Sequence, residues 1–318
     1  MLALLAVAAT PPLEAGAATQ IVYPPPPTWF ESTSYWNTKL PVDAPVAASS
    51  AQIIEYLRAH SATDYVSLAG TSSSGSWGVP IYWARDSDPA YRVRNSCSNT
   101  QPPEFTSVRI PEGARPDPTS DAEMTVYDTH KGLVYGLWHA TYDPGTDSWS
   151  ACGGAVYYLS SNGLHGTLAE SDQPRNTGHR GVPPNIFAVT LDEVRAGAIH
   201  HMLKISVDQT KCAHVFPMVR DECGTWADAA PPEGTRIRIK PAVNLRDLGL
   251  TPAALIVART LKRYGAVIGD QSGGSTMLKV ENTVAEGRGW QWRGVLTRNS
   301  LAAIPLRDFV VIKPGYGR

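Results

Sequence analysis

The chain has 318 residues, 42% of them hydrophobic, and a formal net charge of −1. That is apolar material for one large domain or two small ones, and a near-neutral balance without a basic stripe excludes a nucleic-acid partner. The 27 glycines and 26 prolines, with frequent Thr, Ser, Val, Tyr and Trp, favour strands and loops over helices.

Leu2–Thr10 is apolar and Ala15-Gly16-Ala17-Ala18 supplies small residues, so residues 1–18 are expected to be a secretory leader. Residues 19–34, stiffened by Pro24–Pro27, read as a Pro-rich linker. The folded domain is then expected over 35–318. The leader is too short to span a bilayer and no later segment qualifies, so no membrane association is expected once it is removed.

Ser50–His60 has helical spacing, with Ile53, Ile54 and Leu57 inward and Glu55 and Arg58 outward. Short β-branched or aromatic runs follow, separated by Gly, Pro, Asp and Ser: Tyr65–Ala69, Val79–Ala84, Tyr91–Arg94 and Ser107–Ile110. Met124–Tyr127 and Leu133–Tyr142 read as a hairpin around Asp128, a turn residue. Ala155–Leu159, Ile199–Val207, Val215–Val219, Arg236–Lys240 and Phe309–Ile312 complete the expected strands. Asp192–Ala196 reads as a short helix or turn. No internal repeat is evident, which argues against propellers and solenoids. The expected fold is mainly β: a β-sandwich or jelly-roll-like single domain with two or three peripheral helices.

Cys97, Cys152, Cys212 and Cys223 suit an exported, oxidised protein. Three pairings are open. Cys212 and Cys223 flank a short polar excursion and are the favoured pair, leaving Cys97 for Cys152. No Cys-x-x-Cys spacing exists, so a zinc site is not expected.

Leu250–Gly274 is the most informative stretch. Thr251 suits an N-cap, Pro252 the first helical position and Gly265 a left-handed stop. Leu250, Ala254, Val257, Leu261 and Tyr264 share one face. A short apolar strand over Ala266–Gly269 then delivers Asp270 to a Gly-Ser loop, a setting where chemistry often sits. The plain alternative is a self-capping turn.

Other candidates are scattered. The polar loop 162–184 carries Asp172, His179 and Arg180 and is long enough to be functional. Alternation through Ile199–Val207 puts His201 on a face with Leu203, Ile205 and Val207, as a core residue, a pocket-floor acid/base or a carboxylate orienter. Glu193 reads as a helix-start charge and Asp121 opens the hairpin. Arg236, Arg238 and Lys240 share a strand face and call for carboxylates or an anionic ligand opposite, unless that face is solvated. Trp77, Trp290 and Trp292 look loop-mounted and suited to stacking on sugar rings. There is no Gly-x-Ser-x-Gly elbow, Walker loop, dinucleotide fingerprint or His-Glu-x-x-His.

Ser120-Asp121, Val134–Trp138, Gly153-Gly154-Ala155, Asp192–Val194 with Gly197–His201, Arg238–Lys240, and Lys262–Gly265 through Asp270 together resemble a family of secreted bacterial proteins. Its members often adjoin carbohydrate-binding or fibronectin-like modules. The likeness spans about residues 35–290. It implies context rather than a settled activity, and it points to Asp121, Asp172, Glu193, His201 and Asp270. Gly136 stands where an acid is expected, and Arg175–His179 departs from the pattern.

The leading expectation is a secreted glycoside hydrolase acting on a polysaccharide. Such cleavage pairs one protonated carboxyl with one ionised carboxylate. Asp270 is the expected raised-pKa acid, with Asp172 or Asp121 as partner, and His201 and Glu193 in support. His179, Arg180, Arg238, Trp77 and Tyr264 are expected on the substrate, and no cofactor or metal is expected. A polysaccharide lyase using His201, Tyr264 and Arg238, and a non-catalytic sugar-binding module, are the alternatives.

Overall fold

The computed structural model describes residues 29–168, 176–184 and 187–318. Three α-helices occur among them: α1 (Ser50–His60), α2 (Leu191–Ala196) and α3 (Pro252–Arg263). The strands of the two large sheets are, in chain order, β1 (Ser67–Ala69), β2 (Ile81–Ala84), β3 (Met124–Asp128), β4 (Leu133–Trp138), β5 (Gly153–Tyr158) and β6 (Thr177–Gly178). They continue with β7 (Leu203–Val207), β8 (Arg236–Ile239), β9 (Ala266–Gln271), β10 (Met277–Lys279) and β11 (Phe309–Val311).

The six-stranded sheet runs β1-β10-β7-β9-β8-β11 and the five-stranded sheet β6-β5-β4-β3-β2. The fold is mainly β and sandwich-like, as the composition implies. Ile81, Tyr127, Val134, Ala155 and Tyr157 of the five-stranded sheet pack with Val267 of the six-stranded sheet and with Val79, Val182 and Met202 in the flanking segments. This shared layer also holds Trp29 and Phe30, both buried, within the stretch read as linker. On the outer face of the six-stranded sheet, Leu203, Ile205 and Val207 pack against Val257, Ala258 and Leu261 of α3. A third cluster, including Phe105, Tyr135 and Trp149, covers the far side of the other sheet.

Local chemistry explains the helix ends. The Thr251 hydroxyl accepts from the Ala254 N–H, Pro252 opens α3, and Gly265 turns the chain with φ of 74°. The disulfides Cys97–Cys152 and Cys212–Cys223 are both present.

Four expected strands differ. Tyr91–Arg94 is split: Ala90–Tyr91 pairs with Val108–Arg109, whereas Arg94–Asn95 joins a separate small sheet. Val215–Val219 is a turn, because Pro217 has no N–H to offer a ladder. The strand expected from Ile199 starts only at Leu203, because the Met202 N–H is taken by the Trp36 carbonyl at 2.8 Å. The second hairpin arm ends at Trp138, and Thr141–Asp143 joins a separate small sheet.

Candidate active site

Two irregularities in the backbone bring a set of charged side chains together. The first is a bulge between β7 and β9. Ile205 pairs with Ile268, but Ser206 pairs with Asp270, so Gly269 is the extra residue. Period-2 alternation would have turned Asp270 away from Lys204. The bulge resets the phase, and Lys204 Nζ donates to Asp270 Oδ2 at 3.0 Å. Gly269 also gives room: a Cβ there would lie 3.0 Å from Val182 Cγ2 and 3.4 Å from Lys204 Cγ.

The second irregularity is the run Gly178-His179-Arg180-Gly181, with φ of 95°, 43°, 55° and 111°. Left-handed backbone is easy for glycine and costs a non-glycine residue about 1–3 kcal/mol. Two such residues side by side mark a constrained presentation of their side chains. Lys204 Nζ donates to His179 Nε2 at 2.7 Å. Arg180 spreads over three carboxylates: Nε to Glu233 at 2.9 Å, Nη2 to Asp270 at 3.3 Å and Nη1 to Glu222 at 3.4 Å. The Gln271 N–H donates to the other Glu222 oxygen at 3.2 Å. On β10, Lys279 contacts Glu123 and reaches Asp121 at 3.7 Å.

These neighbours separate the proton affinities. Burial, the strongest influence on Asp270, would raise its pKa, but Lys204, Lys279 and Arg180 outweigh it and hold the carboxyl well below the usual range. Asp270 is therefore the ionised carboxylate and not the raised-pKa acid expected from its strand-end position. Glu222 shifts the other way: burial and the nearby Asp270 charge raise it despite Arg180 and Lys204. Burial also lifts Glu233 to about 7, against the pull of Arg180. His179 is driven well below its ordinary value by burial and by the Lys204 and Arg180 charges, so it is a neutral imidazole at pH 7. Lys279 stays charged, because Glu123 and Asp270 overcome its burial.

Access differs as well. The Glu233 side chain is 0% exposed, Asp270 18% and Glu222 36%. Glu233 supports Arg180 from below, whereas Glu222 and Asp270 face outward on neighbouring nitrogens of one guanidinium. Glu222 and Asp270 thus have proton affinities pushed in opposite directions at the surface of one charged cluster, the kind of separation that acid–base chemistry uses.

Of the sequence candidates, Asp270, His179 and Arg180 meet in this cluster, and Asp121 borders it only through Lys279. Asp172 lies outside the described residues. Glu193 and His201 form a separate buried pair at 2.9 Å. Glu193 also accepts from the Thr190 hydroxyl that caps α2, and His201 bonds the Met202 carbonyl, so the pair ties α2 to the start of β7. His201 packs by Trp29 and Phe187 in the inter-sheet layer, not with Leu203, Ile205 and Val207.

Arg238 does not face this cluster. It donates to the Pro41 and Lys262 carbonyls, while Arg236 donates to those of Tyr264 and Thr38. The cations of β8 thus answer the orphan carbonyls around the end of α3 rather than carboxylates. Tyr264 is buried at the C-cap of that helix. Trp77 stands half exposed on the β1–β2 loop, and Trp292 is a core residue.

Glu222, Glu233, Lys204, Lys279 and Glu123 are the members that sequence reasoning missed. Lys204 carried a signal: a lysine alternating within an otherwise apolar strand requires a buried partner. Glu222 precedes a disulfide cysteine and Glu233 follows a Pro-Pro pair, patterns that read equally well as loop.

Among the described residues, no group of three His, Cys, Asp or Glu side chains is arranged to hold a metal ion. No family model, curated protein or solved structure matches the chain.

Proposed function

We propose that the protein is an exported glycoside hydrolase acting on a polysaccharide, with Glu222 as proton donor and Asp270 as ionised carboxylate. The observation that carries this reading is the split pair on Arg180: one carboxyl raised, the other lowered, on adjacent nitrogens. Glycosidic cleavage requires that division of labour. Two disulfides suit an oxidising compartment, and no helix among the described residues is long and apolar enough to cross a membrane.

The test is a polysaccharide panel scored for new reducing ends. Asp270→Asn and Glu222→Gln should each lower kcat by roughly 10²–10⁴-fold with the fold intact. Full activity in both variants would remove the assignment.

A second reading is supported by His179. A neutral imidazole beside Lys204 and Arg180 is the equipment of a lyase, in which cations neutralise a uronate carboxylate and a base removes the adjacent proton. Products with the ultraviolet absorbance of an unsaturated uronate would select it over hydrolysis. Glycan binding without product release would select a non-catalytic sugar-binding module instead.

A further inference from the structure

The register of the six-stranded sheet places Arg238 beyond the first residue of β9, while Asp270 lies near the strand's other end. At the Arg238 end, a cavity of about 420 Å³ opens between α3, the segment around Asn244 and the segment around Leu40. Five cations line it: Arg238, Arg246, Arg259, Lys262 and Arg263. No carboxylate does.

Arg238 forms the buried part of this lining at 4% exposure. Two of its nitrogens donate to carbonyls at 2.6 Å, while its Nε is buried without an acceptor. Burial pushes its pKa down and no carboxylate opposes the shift. Lys262 donates to the Val243 carbonyl at 2.6 Å. Arg246, Arg259 and Arg263 are exposed and form no ion pair among the described residues. Lys262 and Arg263 also suit the negative end of α3. Arg259, a turn before the helix end, has no such reason to be there.

We propose that this basic cavity binds a phosphate or sulfate ester carried on a sugar-sized group. Guanidinium forks match tetrahedral oxyanions in bidentate geometry, which a ring of lysines would not. The volume falls in the range of small-molecule sites and exceeds what a bare anion fills. Val42 and Leu255 supply apolar wall for the remainder of the ligand. The site is independent of the Asp270 cluster and of the reaction assigned to it.

Isothermal titration of the intact chain with glucose 6-phosphate, glucose 6-sulfate, inorganic phosphate and glucose tests this. Both esters should bind at low salt and weaken as salt rises, with glucose silent. The stronger ester identifies the natural oxyanion. Arg259→Glu and Arg263→Glu, both at exposed positions, should each weaken ester binding at least tenfold without loss of the folded state. Absence of ester binding, or equal affinity in the Arg259→Glu/Arg263→Glu double variant, overturns the proposal. Inorganic phosphate binding as tightly as the esters overturns the sugar-sized part.

Discussion

Glu233→Gln isolates a single proton in the charged cluster. The Glu233 side chain is fully buried, one oxygen accepts from Arg180 Nε at 2.9 Å, and the other has no hydrogen-bond partner. Burial lifts its pKa from 4.5 to about 7 despite Arg180. Between those two values the native state binds more protons than the unfolded state, so stability falls as pH rises. The contribution is fully present below 4.5 and is lost as pH climbs through about 7. At about 1.4 kcal/mol per pH unit, the interval amounts to about 3 kcal/mol. Glutamine mimics the protonated acid at every pH. Its amide N–H₂, buried without a partner, adds a cost of about 1–3 kcal/mol that does not vary with pH. The informative quantity is therefore the slope. Urea unfolding from pH 4.5 to 8, with disulfides intact, should give a variant-minus-wild-type difference that rises by about 3 kcal/mol toward the alkaline end. Groups common to both proteins cancel in that difference. Parallel curves would refute the assignment of a raised, buried carboxyl to Glu233.

Removal of the Lys204 charge by Lys204→Met should raise the Asp270 pKa, moving the acid limb of the pH–rate profile upward; an unmoved limb would dissociate Asp270 from the rate. The Glu193–His201 pair has its own window. His201 is raised above 6.5, because Glu193 outweighs its burial, so its contribution is complete below 6.5 and lost as pH rises through the folded value. Glu193 is lowered below 4.5, because His201 and Thr190 outweigh its burial, so its contribution is present above 4.5 and lost on acidification. His201→Gln should accordingly cost most between pH 4.5 and 6.5, on the order of 3 kcal/mol for a buried pair broken on one side; a cost independent of pH would contradict the ionic pairing. The disulfides close loops of 55 and 11 residues. Chain entropy assigns about 4 kcal/mol to Cys97–Cys152 and about 3 kcal/mol to Cys212–Cys223, and paired Cys→Ser variants should rank in that order in denaturant.

What was legible in the sequence was what depends on near neighbours. Thr251, Pro252 and Gly265 announce both ends of α3, because capping is decided within a few residues. Asp270 could be singled out as a strand-end carboxylate. Its proton state could not, because Lys204, Lys279 and Arg180 reach it from three other segments. Alternation misplaces His201 for a related reason: it counts along a strand that a long-range hydrogen bond from the Met202 N–H to the Trp36 carbonyl prevents from starting there. The β8 cations were legible as a shared face, but their partners are backbone carbonyls, which carry no residue-type signature.

The same contrast explains where the charged cluster lies. An in-phase ladder between β7 and β9 would set Asp270 opposite Val207, on the face that packs against α3. A carboxylate there would be buried without a partner, at a cost far above that of a bulge. The regular alternative is thus excluded by the residue itself, and the extra Gly269 delivers Asp270 to Lys204 instead. The left-handed run at Gly178–Gly181 does the same for Arg180, which reaches Glu222, Glu233 and Asp270 at once. Both departures from regular backbone converge on one carboxylate. Together they give a largely buried carboxylate its Lys204 and Arg180 partners and fix its charge in one place, which is what the role proposed for Asp270 requires.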